Sequence, residues 1–234
     1  MVKKILNVQG IKISVYYEGI EESESCSNSK PKFPIVIYNS YNRDGQEVWD
    51  ECLKLKCPKF ALVVVEVLNW NNDMTPWPSE PIFNKTEGYG GKADNYLKVL
   101  EQEILPAIEE FLQPEYYILS GYSLAGLFSI YAMFKTTRFT KFLSGSGSFW
   151  YPGFKEYYEK NKLPSSPSTK VYLSLGAKEK KTGNKVLKTI ETETIAMKEF
   201  LTQQNIPLKF ELNPGGHFND VNQRIAKGIK WLLE

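Results

Sequence analysis

Tyr116-Tyr117-Ile118-Leu119-Ser120-Gly121-Tyr122-Ser123-Leu124-Ala125-Gly126 runs from an apolar, strand-like segment through a glycine–serine turn into the apolar stretch Leu124 to Phe134. Read as strand, tight turn and helix, it puts Ser123 at the turn itself. Such a turn needs small residues two positions before and after the serine, because the strand and helix backbones approach closely there. Gly121 meets that requirement; Ala125 replaces the more usual glycine with a small methyl, and Gly126 follows. A serine hydroxyl is a poor nucleophile until geometry exposes it and an imidazole takes its proton. The competing reading is a structural Gly-Ser turn with no chemistry, and what separates the two is whether a base reaches the serine.

Working outward, strand-like runs recur at Ile11 to Tyr17, Phe33 to Asn39, Phe60 to Leu68, Phe139 to Leu143, Lys170 to Leu175 and Leu208 to Leu212, with helical patterns between them. This alternation predicts an α/β fold, a mostly parallel sheet with helices on both faces. Phe60 to Leu68 is almost unbroken in β-branched and apolar residues, as expected of a central strand buried on both sides. Leu97, Leu100, Ile104, Ile108 and Phe111 form one helical stripe in which Pro106 predicts a kink. Val221, Ile225, Ile229 and Leu232 form another, with Asp220 at its N-cap position and Gln223 three residues on. Glu21 to Lys30 and Asn161 to Ser168 read as polar connectors. No repeat or composition shift divides the chain, so residues 1–234 read as one domain.

The chain has 234 residues, 42% hydrophobic and 24% charged, with a formal charge of +2. That balance carries no field suited to nucleic acid. The amino terminus lacks a secretory apolar run and no segment reaches membrane-spanning length. Cys26, Cys52 and Cys57 fit neither a disulfide framework nor a zinc site, and a reducing cytoplasm is the expected compartment. No His, Cys or carboxylate cluster has metal-ligand spacing, so the reading invokes no metal and no cofactor. Gly88-Tyr89-Gly90-Gly91-Lys92 lacks the first glycine and the closing Ser/Thr of a phosphate loop, since Thr86 and Ala93 stand there.

The only histidine is His217, in Pro214-Gly215-Gly216-His217-Phe218, after the last strand-like run. A loop there can carry its ring over the carboxyl edge of a parallel sheet, where sites of this fold class form. An acid that orients the imidazole is expected between serine and histidine in the chain. Glu179 fits, just beyond the strand ending at Leu175, although a solvated carboxylate in the lysine-rich stretch Lys178 to Lys188 is the alternative reading. Asp220 competes, but helix capping accounts for it.

Taken together, Gly121 to Gly126, Ile104-Leu105-Pro106-Ala107-Ile108-Glu109, Ser146-Gly147-Ser148-Phe149-Trp150, Ser174 to Glu179 and Gly215-Gly216-His217 resemble, in order, the serine esterases of the esterase-D-like group. That group includes siderophore-lactone and feruloyl esterases. The resemblance implies an α/β-hydrolase fold and a triad of Ser123, Glu179 and His217. Ala177 stands where relatives carry aspartate, which leaves the acid role to Glu179.

Donors for a developing oxyanion are expected from the backbone N–H of Leu124 and, in the loop after Ile35 to Tyr38, from that of Tyr41, with Ser40 adjacent. Side-chain roles for Asn39 or Asn42 stand beside turn-forming ones. Trp70, Trp77 and Trp150 follow strand ends and are read as substrate walls, with packing as the alternative. The expectation is a serine-dependent carboxylic-ester hydrolase acting on a small ester, a short acyl ester or a siderophore lactone. Acyl transfer on the same residues and an inactive binding scaffold are its alternatives.

Overall fold

The computed structural model describes residues 1–18, 30–82, 87–164 and 169–234. The connector read at Glu21 to Lys30 lies outside them except for Lys30, as do Cys26, Thr86 and the last four residues of Asn161 to Ser168. Ten strands are described: β1 Val2–Val8, β2 Ile11–Tyr17, β3 Lys32–Ser40, β4 Ala61–Glu66, β5 Pro78–Ser79, β6 Tyr89–Gly90, β7 Gln113–Tyr122, β8 Lys141–Gly145, β9 Lys170–Gly176 and β10 Leu208–Asn213. Eight form the main sheet in the order β1-β2-β4-β3-β7-β8-β9-β10. From β4 to β10 neighbouring strands are parallel, and β1 and β2 join as an antiparallel hairpin on the β4 side. The mostly parallel sheet and its helices confirm the expected α/β architecture.

The nearly continuous apolar runs follow from burial on both faces. Ile35, Ile37, Val63, Val65 and Leu119 point into one core, whereas Val36, Leu62, Val64, Ile118 and Leu143 point into the other. The first core is closed by α3 Ala93–Val99, α4 Leu105–Glu109, α5 Leu124–Ala132 and α7 Ile190–Gln203; the second by α1 Gln46–Lys54 and α8 Val221–Leu233. The short helices α2 Trp70–Asp73 and α6 Phe154–Lys160 follow β4 and β8. Every residue of α5 is buried, which explains why its sequence is apolar all round. Among the described residues, no helix is long and apolar enough to cross a membrane.

Three local features add to or depart from the expectations. β1 escapes sequence reading because none of its residues is fully buried; pairing through the positive-φ turn Gln9-Gly10, not an apolar face, makes it a strand. β4 is an interior strand, but the middle of the sheet is held by β3 and β7. At Pro106, where a kink is expected, the helix widens: a π-turn, Leu100–Ile104, precedes the proline, with the Leu105 N–H reaching back to the Leu100 carbonyl. The widened turn accommodates a residue that has no N–H to offer and a ring that crowds the preceding turn.

Candidate active site

At the carboxyl end of β7 the chain reverses at Ser123, whose φ of 59° and ψ of −121° are sparsely populated by L residues. The turn is held by the Ser123 N–H, which donates to the Gly145 carbonyl at 2.9 Å, and by the Ser148 and Leu127 N–H groups, which donate to the Ser123 carbonyl. A Cβ on Gly121 would stand 2.4 Å from the Ala125 carbonyl carbon and 2.5 Å from its methyl. This close approach is why only small residues flank the serine. Gly126 faces elsewhere: a Cβ there would meet Ser144 Oγ at 2.8 Å and Gly147 Cα at 2.9 Å.

His217 arrives on the loop after β10. Its Nε2 lies 3.1 Å from Ser123 Oγ and its Nδ1 2.8 Å from Glu179 Oε2. An ionised carboxylate only accepts, so Nδ1 carries the proton and Nε2 is left as the acceptor facing the serine. Glu179 is 3% exposed against 30% for the imidazole. Burial alone pushes the Glu179 carboxyl up. Hydrogen bonds from His217 and Ser146, the charge of His217 and the Gly176 N–H outweigh that and hold it below the usual carboxylate range. Its second oxygen, Oε1, accepts from Gly176 N at 2.6 Å and from Ser146 Oγ at 2.5 Å, with Arg224 Nη1 at 3.5 Å.

Asp220 contributes no such contact. It precedes α8 in a left-handed conformation (φ 52°) and makes no side-chain cap hydrogen bond, so the capping expected from Asp220 and Gln223 does not form. Asn219 acts locally instead, accepting the Gly216 N–H at 2.8 Å and closing the loop that presents His217.

The Ser123–His217–Glu179 chain opens on a cavity of about 1060 Å³. Leu124, Tyr41, Ser40 and Asn39 all line it. Neither the Leu124 nor the Tyr41 N–H finds a backbone acceptor among the described residues. Asn39 is committed on one side, its Oδ1 accepting from the Tyr96 hydroxyl at 2.5 Å. Asn42 is not among the lining residues and takes a left-handed turn conformation, φ 50°.

Trp70 and Trp150 stand in the cavity wall with Tyr89 and Phe218, and Tyr41 meets Trp70 edge-on. Trp77 corrects the third assignment: it is not among the lining residues. Its indole N–H donates to the Pro152 carbonyl at 2.8 Å, and its ring packs against Tyr131, Tyr151 and Tyr157. Of the lysine-rich stretch, Lys178 and Lys181 reach the cavity, whereas Lys180 pairs with Glu191. Gly91 serves a backbone crossing. A Cβ on Gly91 would lie 2.1 Å from the Trp77 carbonyl carbon, beside the β5–β6 pairing.

Sequence reasoning missed Tyr122 and Arg224, and read Ser146 only as part of a motif. The Tyr122 hydroxyl donates to the His217 carbonyl at 2.7 Å, and Arg224, 1% exposed, reaches Tyr122, Ser146 and Glu179. The available signal was an arginine four residues after Asp220, adjoining the apolar stripe of a helix that packs on the sheet. Periodicity alone gives such a residue to solvent.

Comparisons with known proteins bear on the fold and the family. A family model described as "Putative esterase" matches residues 39–220. An uncharacterized protein, YbbA of Bacillus subtilis (strain 168), is 26% identical over 227 residues, covering 89% of this chain and 88% of its own. Among solved structures, an IroE-like serine hydrolase from Shewanella oneidensis superposes with a TM-score of 0.77 at 19% identity, over 99% of this chain and 80% of that one. The siderophore hydrolase EstB of Aspergillus nidulans gives 0.69 at 18% identity, over 98% and 93%. The enterobactin esterase FES of Shigella flexneri gives 0.72 at 15% identity, over 99% of this chain but 58% of that one. At these identities the structures establish the shared α/β-hydrolase-type fold, and the family match, spanning most of the chain, establishes membership: the chain belongs to the esterase family.

Proposed function

We propose that this protein is a serine-dependent carboxylic-ester hydrolase that works through an acyl-enzyme, with Ser123 as nucleophile, His217 as base and Glu179 as the acid that orients it. The observation that carries the reading is the hydrogen-bonded chain from Ser123 Oγ through both imidazole nitrogens to a buried, ionised carboxylate, at the wall of an aromatic-lined cavity. Ser123 attacks the ester carbonyl as Nε2 takes its proton. Glu179 balances the imidazolium that forms, and the same proton passes to the departing alkoxide. Water then repeats the cycle on the acyl-enzyme. The N–H groups of Leu124 and Tyr41 receive the oxyanion; one such donor is worth about 3 kcal/mol of transition-state stabilisation.

Trp70 and Trp150 favour an ester with a flat or aromatic part, which fits aryl esters and the substrates for which two of the structural relatives are named, siderophores for one and enterobactin for the other. The test is a panel of p-nitrophenyl, aryl and lactone esters on wild type and Ser123→Ala, with fluorophosphonate labelling of both. Turnover and labelling by wild type alone support the assignment. Undiminished labelling of Ser123→Ala removes the serine from its role. Labelling without turnover of any ester favours a binding scaffold, and product captured only with an added alcohol acceptor favours acyl transfer.

A further inference from the structure

Arg224 lies beyond the residues that the family model matches, and no step of the proposed mechanism uses it. It is nonetheless among the largest fully buried side chains of the molecule. Its backbone N–H makes an early hydrogen bond of α8, to the Asp220 carbonyl at 2.9 Å. Its guanidinium passes inward at 5.2 Å from the Tyr122 ring centroid. There Nη1 donates to the Tyr122 hydroxyl and lies 3.5 Å from Glu179 Oε1, while Nη2 donates to Ser146 Oγ at 2.5 Å.

A guanidinium can only donate. Both hydroxyls that it touches must therefore accept from it, and each has a single proton left to place. Ser146 places its proton on Glu179 Oε1 at 2.5 Å, and Tyr122 places its own on the His217 carbonyl at 2.7 Å. The cation disfavours the alternative in which Ser146 turns its proton to the Tyr122 hydroxyl, 3.0 Å away, because a hydroxyl oxygen that already accepts from a guanidinium is a poorer acceptor for a second donor.

We propose that Arg224 is a positioning residue for the serine chemistry: its fork aims the Ser146 and Tyr122 protons at Glu179 and at the His217 loop, and its cation stands 3.5 Å from the carboxylate that orients the base. This rests on the triad reading above. A buried ion pair can also be structural only, since breaking one destabilises a fold whatever its function. Two features point past that role: the two arms of the fork serve different members of the triad, and Nε has no partner among the described residues, so the contacts made are those at the site end. The other titratable groups facing the guanidinium are Tyr122 on β7, Tyr172 on β9, and Glu179 and His217 beyond β9 and β10.

The experiment compares Arg224→Gln and Arg224→Lys with wild type, by pH profiles of kcat/KM on p-nitrophenyl acetate and by the pH dependence of fluorophosphonate labelling, which needs no substrate turnover. For Arg224→Gln we expect kcat to fall about ten- to a hundredfold, the worth of one charged hydrogen bond, with KM changed less than about twofold. The acidic limb moves to higher pH, because losing a neighbouring cation eases proton uptake anywhere in the chain. Arg224→Lys keeps the charge but not the fork, so its limb stays near wild type while kcat recovers only in part. A folded Arg224→Gln with the wild-type limb overturns the proposal, as does an Arg224→Lys whose limb moves as far as that of Gln. If Arg224→Gln does not fold, Ser146→Ala reads the relay, and an unchanged kcat in that variant overturns it. Wild type that labels but hydrolyses no ester removes the hydrolase reading alone, and the labelling profiles still decide the role of Arg224.

Discussion

Two serines leave adjacent parallel strands at positive φ and turn their hydroxyls to different partners. Ser123 follows β7 and Ser146 follows β8, with Tyr122 and Gly145 in register just before them. Both have positive φ, 59° and 42°. Each turn is held by an N–H donated to the next strand, Ser123 to the Gly145 carbonyl and Ser146 to that of Ser174. Ser123 then enters α5 and turns its hydroxyl toward His217 and the cavity, whereas Ser146, 1% exposed, turns its hydroxyl toward Arg224 and Glu179. On the proposed mechanism, one strained turn holds the attacking atom and its neighbour holds the acid that orients the base. Glu179 joins them, one oxygen to each branch.

If this division is right, Ser123→Ala lowers kcat/KM at least about ten-thousand-fold and leaves the melting temperature nearly unchanged, since the hydroxyl supports nothing in the core. A comparable loss of stability would break the contrast at its stronger end. Next in size, Glu179→Gln lowers kcat by about a thousandfold or more. It also flattens the stability–pH curve in acid. The folded carboxyl is held below its ordinary value, so its ionisation adds stability that is fully present above the unfolded value and is lost as pH falls through the folded one. Urea unfolding between pH 7 and pH 3 reads the difference, and parallel curves for the two proteins would refute it.

Ser146→Ala should differ from Ser123→Ala by lowering stability as well as kcat, costing about 1–3 kcal/mol in urea unfolding, because Arg224 Nη2 and Glu179 Oε1 each lose a buried partner. Smallest is Ser144→Ala. Its buried hydroxyl on β8 has no partner among the described residues, so removal changes stability by less than about 1 kcal/mol or raises it. A large loss there would show that strand end to be more tightly coupled than its hydrogen bonds indicate.

The difference between the two turns also explains what could be read in advance. Gly121, Ser123 and Ala125 announce their turn because close backbone approach limits residue type within five positions. Ser146 sits among Ser144, Gly145, Gly147 and Ser148, where nothing local says which hydroxyl is buried or what it meets. His217 was legible by being the only histidine, and Glu179 by following a strand end. Trp70, Trp77 and Trp150 looked alike because each follows an apolar element into a loop. Only packing sends the Trp77 indole to the Pro152 carbonyl and leaves the others at the cavity.

What the sequence by itself determined is therefore the alternation of buried strands and helices, the serine turn and the supply of a single imidazole, all signals carried by residues near one another in the chain. Tertiary structure decided between Glu179 and Asp220 as the partner of that imidazole, which tryptophans face the cavity, and that Arg224 turns inward from α8. Those depend on parallel strands bringing together residues 38 to 102 positions apart. Such contacts leave no local period or composition behind them.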